Sequence, residues 1–265
     1  MIELRQFVVI YVIILLQFSF SKSGKKGYAV CPWRFLCSDF DSYGDASWWY
    51  DWGNSRREFQ RMNCTNPPRK GYVSMIYNEP ALYTAAIPKD VEYVLGFNEP
   101  NVPKQANLTV QRVVELWPMV EKIAAGKVLV SPALGGCDYR PDVCIQWFDD
   151  FFKQCKSCRI DIIALHSYSC EPSVMVTALE RISKRYNRPI WLTEFSCHGN
   201  VTVEVDMNFM KAAIPLLEKA PFVQRYSWYC SRVNKLTGYM PNFSTDLLQQ
   251  NSSKPTKLGE LYNRF

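Results

Sequence analysis

Residues 93–101 read YVLGFNEPN. The apolar run Tyr93-Val94-Leu95 passes through Gly96 and Phe97 and stops at Asn98-Glu99-Pro100-Asn101. Unbroken apolar character marks a strand buried on both faces. Pro100, which has no N–H to offer a ladder, ends it. The strand therefore delivers one carboxylate, Glu99, at its C-terminal end beside the amide of Asn98. About three βα units further on, residues 189–196 (PIWLTEFS) repeat the device and deliver Glu194. One such glutamate could be no more than a solvated strand cap. Two, at the carboxyl ends of two buried strands, match what cleavage of a glycosidic bond requires. One carboxyl protonates the leaving oxygen, and the other attacks or supports the anomeric carbon.

Working outward, apolar runs recur at residues 27–32, 47–52, 71–77, 93–97, 127–132, 160–168, 190–195 and 223–229. Helical spacing lies between most of them. Val113, Val114, Trp117, Val120, Ile123 and Ala124 share one face of 110–125, and Trp147, Phe148, Phe151 and Phe152 repeat the pattern, as do 176–186 and 206–219. The gap between the first two runs is too short for a full helix, and the tail from Asp246 reads as a closing helix. Eight strands with about seven helices predict an α/β fold, a single (β/α)8 TIM barrel with an abbreviated first crossover. The 265 residues suit one such barrel, for which roughly 250 is typical. No Gly-, Pro- or Ser-rich linker divides the chain, so residues 26–265 read as one catalytic domain.

The N-terminus has its own character. Phe7 to Leu16 is a short apolar run after Arg5, followed by the small residues Ser19 and Ser21. This reads as a signal peptide, residues 1–22, cleaved near Ser21 to Ser23. The run is short for a membrane span, although retention as an anchor is the alternative. The expected location is secreted and extracellular, with no membrane contact after signal removal. All ten cysteines follow the signal, and an even number in an oxidising compartment reads as disulfides. Sequons at Asn63, Asn107, Asn200, Asn242 and Asn251 are candidate glycosylation sites.

Other chemistries find little support. Cys155-Lys156-Ser157-Cys158 is a lone CxxC, and the chain has two histidines, so a four-ligand zinc site is not expected. No glycine-rich phosphate loop is present, and no cofactor or metal is expected. The net charge of +6 is spread thinly, with no basic stripe for nucleic acid. The expected partner is a polysaccharide and the expected state a monomer.

In a barrel, strand ends meet on one face. The first two strands would bring Trp33, Trp48, Trp49, Asp51 and Trp52 there, and the third Tyr77, Asn78 and Glu79. The fourth supplies Asn98 and Glu99, the sixth His166 and Tyr168, the seventh Glu194 and the eighth Trp228. From this set Trp33, Trp49, Tyr77, Asn98, His166, Tyr168 and Trp228 are taken as substrate-binding, ringing the catalytic Glu99 and Glu194. Cys170 follows Tyr168 by two residues and Cys197 follows Glu194 by three. Neighbouring strands about 4.8 Å apart place these two cysteines within the roughly 4.4–6.8 Å Cα span of a disulfide. Cys137 and Cys144 would close the loop after the fifth strand, and Cys155 and Cys158 the turn before the sixth. Cys31, Cys37, Cys64 and Cys230 would pair among themselves in an order left open.

LGFNEPN, together with VSPAL (130–134), IDIIALHSY (160–168), WLTEFS (191–196) and SWWYDWG (47–53), resembles glycoside hydrolase family 128 from about Lys26 to the C-terminus. The resemblance implies a secreted endo-β-1,3-glucanase that retains anomeric configuration. It implies Glu99 as acid/base, Glu194 as nucleophile, and Asn98 as a contact to the sugar 2-hydroxyl. The sequence departs from the family at Ser167, where an aromatic usually stands between His166 and Tyr168, and at the third strand end, YNEP, where a Trp is common. A hydrolase of another β-glycan, mannan or xylan, and a non-catalytic glycan-binding barrel are the alternatives.

Overall fold

The computed structural model describes residues 24–56, 59, 62–64, 70–233 and 244–265, with the side chain of Trp33 outside that description. The expected signal peptide, residues 1–22, lies outside the described residues as well. The strands are β1 (Lys26–Ala29), β2 (Trp48–Tyr50), β3 (Ser74–Met75), β4 (Tyr93–Leu95), β5 (Val128–Val130), β6 (Ile163–Ser167), β7 (Ile190–Phe195) and β8 (Val223–Trp228). Every one of the eight predicted runs holds a strand. Most strands are shorter than their apolar runs, because residues at the run ends turn into loops. All ladders are parallel, in the orders β2-β1-β8-β7-β6 and β3-β4-β5. Single parallel bridges join the two sheets at both seams: Trp49 with Tyr72 on one side, Val130 with Ile162 and Leu134 with Leu165 on the other. The strands thus run round in sequence order, the arrangement of a (β/α)8 barrel.

The described α-helices are α1 (Glu79–Tyr83), α2 (Val110–Ile123), α3 (Pro141–Gln154), α4 (Pro172–Tyr186), α5 (Val203–Lys219) and α6 (Lys257–Arg264). Local chemistry starts them. Thr109, Thr202 and Thr256 each cap a helix by accepting a backbone N–H of its first turn. Pro141 and Pro172 open α3 and α4 where a missing N–H costs nothing. Between β1 and β2 the chain makes only two 3-10 turns, Pro32–Arg34 and Cys37–Ser42. This is the abbreviated crossover.

Two apolar layers result. The barrel interior is filled by Ala29, Trp48, Tyr50, Val73, Met75, Leu95, Val130, Ala164 and Trp191. The layer between barrel and helices holds Trp49, Val94, Trp117, Phe148, Leu165, Leu192, Tyr226 and Trp228, among others. Gly27 is a glycine for a packing reason: a Cβ there would lie 2.3 Å from the Trp48 ring. Lys25 ties the start of β1 to the C-terminus of α5 by donating Nζ to the carbonyls of Leu217, Glu218 and Ala220. The cysteines form the disulfides Cys31–Cys230, Cys37–Cys64, Cys137–Cys144, Cys155–Cys158 and Cys170–Cys197. Among the described residues no helix is long and apolar enough to cross a membrane.

Candidate active site

Glu99 follows β4 in the left-handed region, at φ +43°. That conformation is uncommon outside glycine. It is held by the Glu99 N–H donating to the Ala133 carbonyl at 2.8 Å and by Val102 N–H donating back to the Glu99 carbonyl at 2.9 Å. Gly135 leaves room for the carboxylate, since a Cβ there would stand 2.5 Å from Glu99 Oε1.

Glu194 is aimed by an irregularity. Leu192 of β7 pairs with Tyr226 and Phe195 with Trp228, so β7 carries one more residue than β8 across that interval. The same extra residue shows against β6, where Leu165 pairs with Leu192 but His166 with Glu194. Leu192 lies in the outer layer, and strict alternation would send Glu194 outward with it. The bulge at Thr193 reverses the parity, a recurrent way of re-aiming a side chain beside an active site.

His166 stands between the two glutamates. Its Nδ1 lies 2.8 Å from Glu99 Oε1 and its Nε2 3.4 Å from Glu194 Oε1. The imidazole is fully buried, and the glutamates are 8% and 5% exposed. Trp52 donates Nε1 to Glu194 Oε1 at 2.8 Å, and Tyr168 donates its hydroxyl to Oε2. Tyr50 donates to the Thr193 carbonyl at 2.9 Å and lies 3.5 Å from Glu194 Oε1. Tyr77 and Asn98 both donate to Gln105 Oε1 on the Glu99 side. Asn98 Oδ1 is buried with no protein partner among the described residues.

Glu99, Glu194, Asn98, Tyr77, His166 and Tyr168 thus come together. Trp49 and Trp228 do not. Trp49 packs on Phe40, Phe59 and Tyr72 in the outer layer. Trp228 packs on Phe195 and Phe209 and donates Nε1 to the Thr245 carbonyl. Each expectation is off by one residue, and in a strand one residue changes the face. On β2 the inward positions are Trp48 and Tyr50. After β8 it is Tyr229 that lies beside Trp52 and Tyr168. The Trp33 side chain lies outside the described residues. Glu79 turns away from the cleft to Arg112 on α2, and Asn78 caps α1. Of the sequons, Asn63, Asn107, Asn200 and Asn251 are exposed, and Asn242 lies outside the described residues. Sequence reasoning places Trp52 at this face without a role and does not reach Tyr50, Gln105, Gly135 or Asp138. Most of these carry no local cue, but Gly135-Gly136 after an apolar strand does signal a close backbone approach.

The chain matches the family described as glycosyl hydrolase catalytic core over residues 31–262. It belongs to that family. It is 28% identical over 261 residues to alkali-sensitive linkage protein 1 of Schizosaccharomyces pombe, covering 91% of this chain and 45% of the relative. The chain therefore spans under half the length of that relative. Among solved structures it resembles a family 128, subgroup II endo-β-1,3-glucanase from Sorangium cellulosum, with TM-score 0.74, 28% identity and coverage of 91% and 98%. It also resembles a subgroup I endo-β-1,3-glucanase from Amycolatopsis mediterranei in complex with laminaritriose, with TM-score 0.70, 25% identity and the same coverage.

In this glycosyl hydrolase core the charges are coupled. Burial raises the Glu194 carboxyl above the usual range, and the charge of Glu99 adds to that. His166, Tyr168 and Trp52 oppose the rise by favouring the carboxylate. Burial disfavours the His166 cation, but the two glutamates outweigh it and its pKa ends raised. Tyr168 and Tyr50 are pushed well above the ordinary phenol value, by burial first and then by the charge of Glu194. Both therefore remain hydrogen-bond donors. Among the described residues no three His, Cys, Asp or Glu side chains gather as a metal site.

Proposed function

We propose that this chain is a secreted, monomeric endo-β-1,3-glucan hydrolase that retains anomeric configuration. The observation that carries the reading is His166, one imidazole set between two carboxylates whose environments differ. Glu194 receives hydrogen bonds from Trp52 and Tyr168, which favour its ionised form. Glu99 faces the Nδ1 side of the ring. A protonated Glu99 donates to Nδ1 and leaves the ring proton on Nε2, facing the Glu194 carboxylate. That is the state a retaining pair needs at the start.

In the first step Glu194 attacks the anomeric carbon, the glycosidic C–O bond breaks, and the Glu99 proton goes to the leaving oxygen. The glycosyl ester removes the negative charge of Glu194 and leaves Glu99 as a carboxylate. In the second step Glu99 takes a proton from water as the water oxygen displaces Glu194. The unpartnered Asn98 Oδ1 is available to accept from a sugar hydroxyl. Trp52, Tyr229, Tyr168 and Tyr77 offer aromatic surface to the rings. The likeness to endo-β-1,3-glucanases supports the choice of glucan, and the N-terminal apolar run and the disulfides support secretion.

The test is release of reducing sugar from laminarin, with xylan and mannan beside it, by wild type and Glu194→Gln. Wild type should act on laminarin alone and Glu194→Gln should be inactive. Equal release by the two proteins contradicts the role of Glu194. Action on xylan or mannan instead moves the substrate to another β-glycan, and binding of laminarin with no release makes the chain a glycan-binding barrel.

A further inference from the structure

Asp138 lies in the loop between β5 and α3, at 4% exposure. Its Oδ2 accepts the Ser167 hydroxyl at 2.7 Å and the Tyr168 N–H at 2.9 Å. Its Oδ1 accepts the N–H of Tyr139 at 3.0 Å. Tyr139 in turn donates its hydroxyl to the Tyr168 carbonyl at 2.6 Å. Two consecutive side chains of one loop thus bond both backbone groups of Tyr168, whose carbonyl also accepts the His198 N–H at 3.1 Å. The loop is itself braced by the Cys137–Cys144 disulfide and by Arg140 N–H donating to the Gly136 carbonyl at 3.1 Å.

Alternation gives this clamp its purpose. β6 ends at Ser167, so the Tyr168 N–H lies beyond the strand and has Asp138 as its partner. Ser167 faces opposite to its neighbours, which leaves His166 and Tyr168 on the cleft side. Holding Ser167 from behind therefore sets both. Tyr168 then meets Glu194 Oε2, and His166 meets both glutamates.

We propose that Asp138 is a positioning residue for the hydrolysis: it sets the end of β6 so that the Tyr168 hydroxyl holds the Glu194 carboxylate ready to attack. The proposal rests on Glu194 being the nucleophile. The groups that face Glu194 are Glu99, His166, Tyr168, Tyr50 and Trp52; Asp138 reaches it through β6, and its charge also favours the His166 cation beside Glu194.

The test compares wild type, Asp138→Ala, Ser167→Ala, Tyr168→Phe and the Asp138→Ala/Tyr168→Phe double variant, on whichever glycan the wild type cleaves. A failed choice of glucan therefore does not decide this question. Asp138→Ala should lower kcat by about tenfold or more while KM stays within about twofold, the signature of an interaction that matters in the transition state. The acidic limb of its pH profile should move to higher pH, because a weakened Tyr168 bond disfavours the Glu194 carboxylate. The double variant should lose clearly less than the product of the two single losses, since both changes break the connection through Tyr168. Ser167→Ala removes a single hydroxyl, preserves the fold, and should shift kcat and the limb in the same direction by less. A purely structural Asp138 would lower thermal stability and leave kcat per folded molecule and the limb unchanged. That result in both Asp138→Ala and Ser167→Ala, or additive losses in the double variant, overturns the proposal.

Discussion

Glu99 is the residue on which the chemistry is most exposed to small changes. Its backbone sits at φ +43°, and its carboxylate rests where only the missing side chain of Gly135 leaves space. Two variants should share one kinetic signature. Glu99→Ala removes the proposed acid, and Gly135→Ala displaces it by inserting a methyl group 2.5 Å from Oε1. Both should hydrolyse glycosides with poor leaving groups at least about tenfold more slowly, while substrates with good leaving groups, which need no protonation, lose less. Rates measured across a series of aryl glycosides check this, and equal losses on all leaving groups contradict the assignment of Glu99. Ser167 shows how a departure from a family pattern acquires meaning. The sequence marks the substitution of a small hydroxyl residue but not its acceptor, because Asp138 comes from a loop 29 residues earlier in the chain.

At the scale of strands and loops, the location of every strand was legible and the facing of several was not. Strands buried on both sides read as continuous apolar runs, so they carry no alternation from which to read parity. Trp49 and Trp228 were misplaced for that reason, as each has an apolar neighbour on the opposite face. The bulge at Thr193 is illegible for a related cause: the extra residue shows only against its partners in β6 and β8. The disulfides were more accessible. Cys170 and Cys197 follow adjacent strands and lie 4.6 Å apart between Cα atoms. The sequence leaves the order of the other four open; the structure pairs Cys31 with Cys230, after the paired strands β1 and β8, with Cα atoms 6.6 Å apart. The Cys170–Cys197 bond joins the loops just beyond Tyr168 and Glu194, where Ser169 and Cys197 also form an antiparallel bridge. Partial reduction of that bond should lower activity before the barrel unfolds. Activity and near-ultraviolet circular dichroism followed together during titration with a reductant check this. Simultaneous loss of both would show that the bond braces the whole fold and not the site.

The molecule as a whole is closed by buried polar clamps. Arg232, after β8, donates to both oxygens of Asp39 and to the carbonyls of Arg34, Gln249 and Ser252. It thereby joins the first crossover to the C-terminal segment. Asp246 accepts the Val233 N–H at 2.7 Å, and burial pushes its carboxyl up to about 7. Asp206 accepts the Cys197 N–H at 3.3 Å and is pushed by burial up to about 6. A carboxyl whose folded pKa lies above its unfolded value binds more protons in the folded state between the two. Stability therefore falls as pH rises through that interval. The raised Glu194 acts in the same sense. The raised His166 contributes stability at low pH that is lost as pH rises through its folded pKa. All four groups have one sign, so the thermal midpoint should fall between about pH 5 and pH 8, and Asp246→Asn should flatten the decline. Calorimetry at the two pH values checks it, and a midpoint that rises with pH contradicts this linkage. Above these details stands the claim that Glu99 and Glu194 act as a retaining pair, with carboxyl groups about 5–5.5 Å apart. Proton NMR of laminarin during the first minutes of hydrolysis tests it most directly: a retaining pair requires the β-anomer of the new reducing end to appear first and mutarotate afterwards, and the α-anomer appearing first would contradict it.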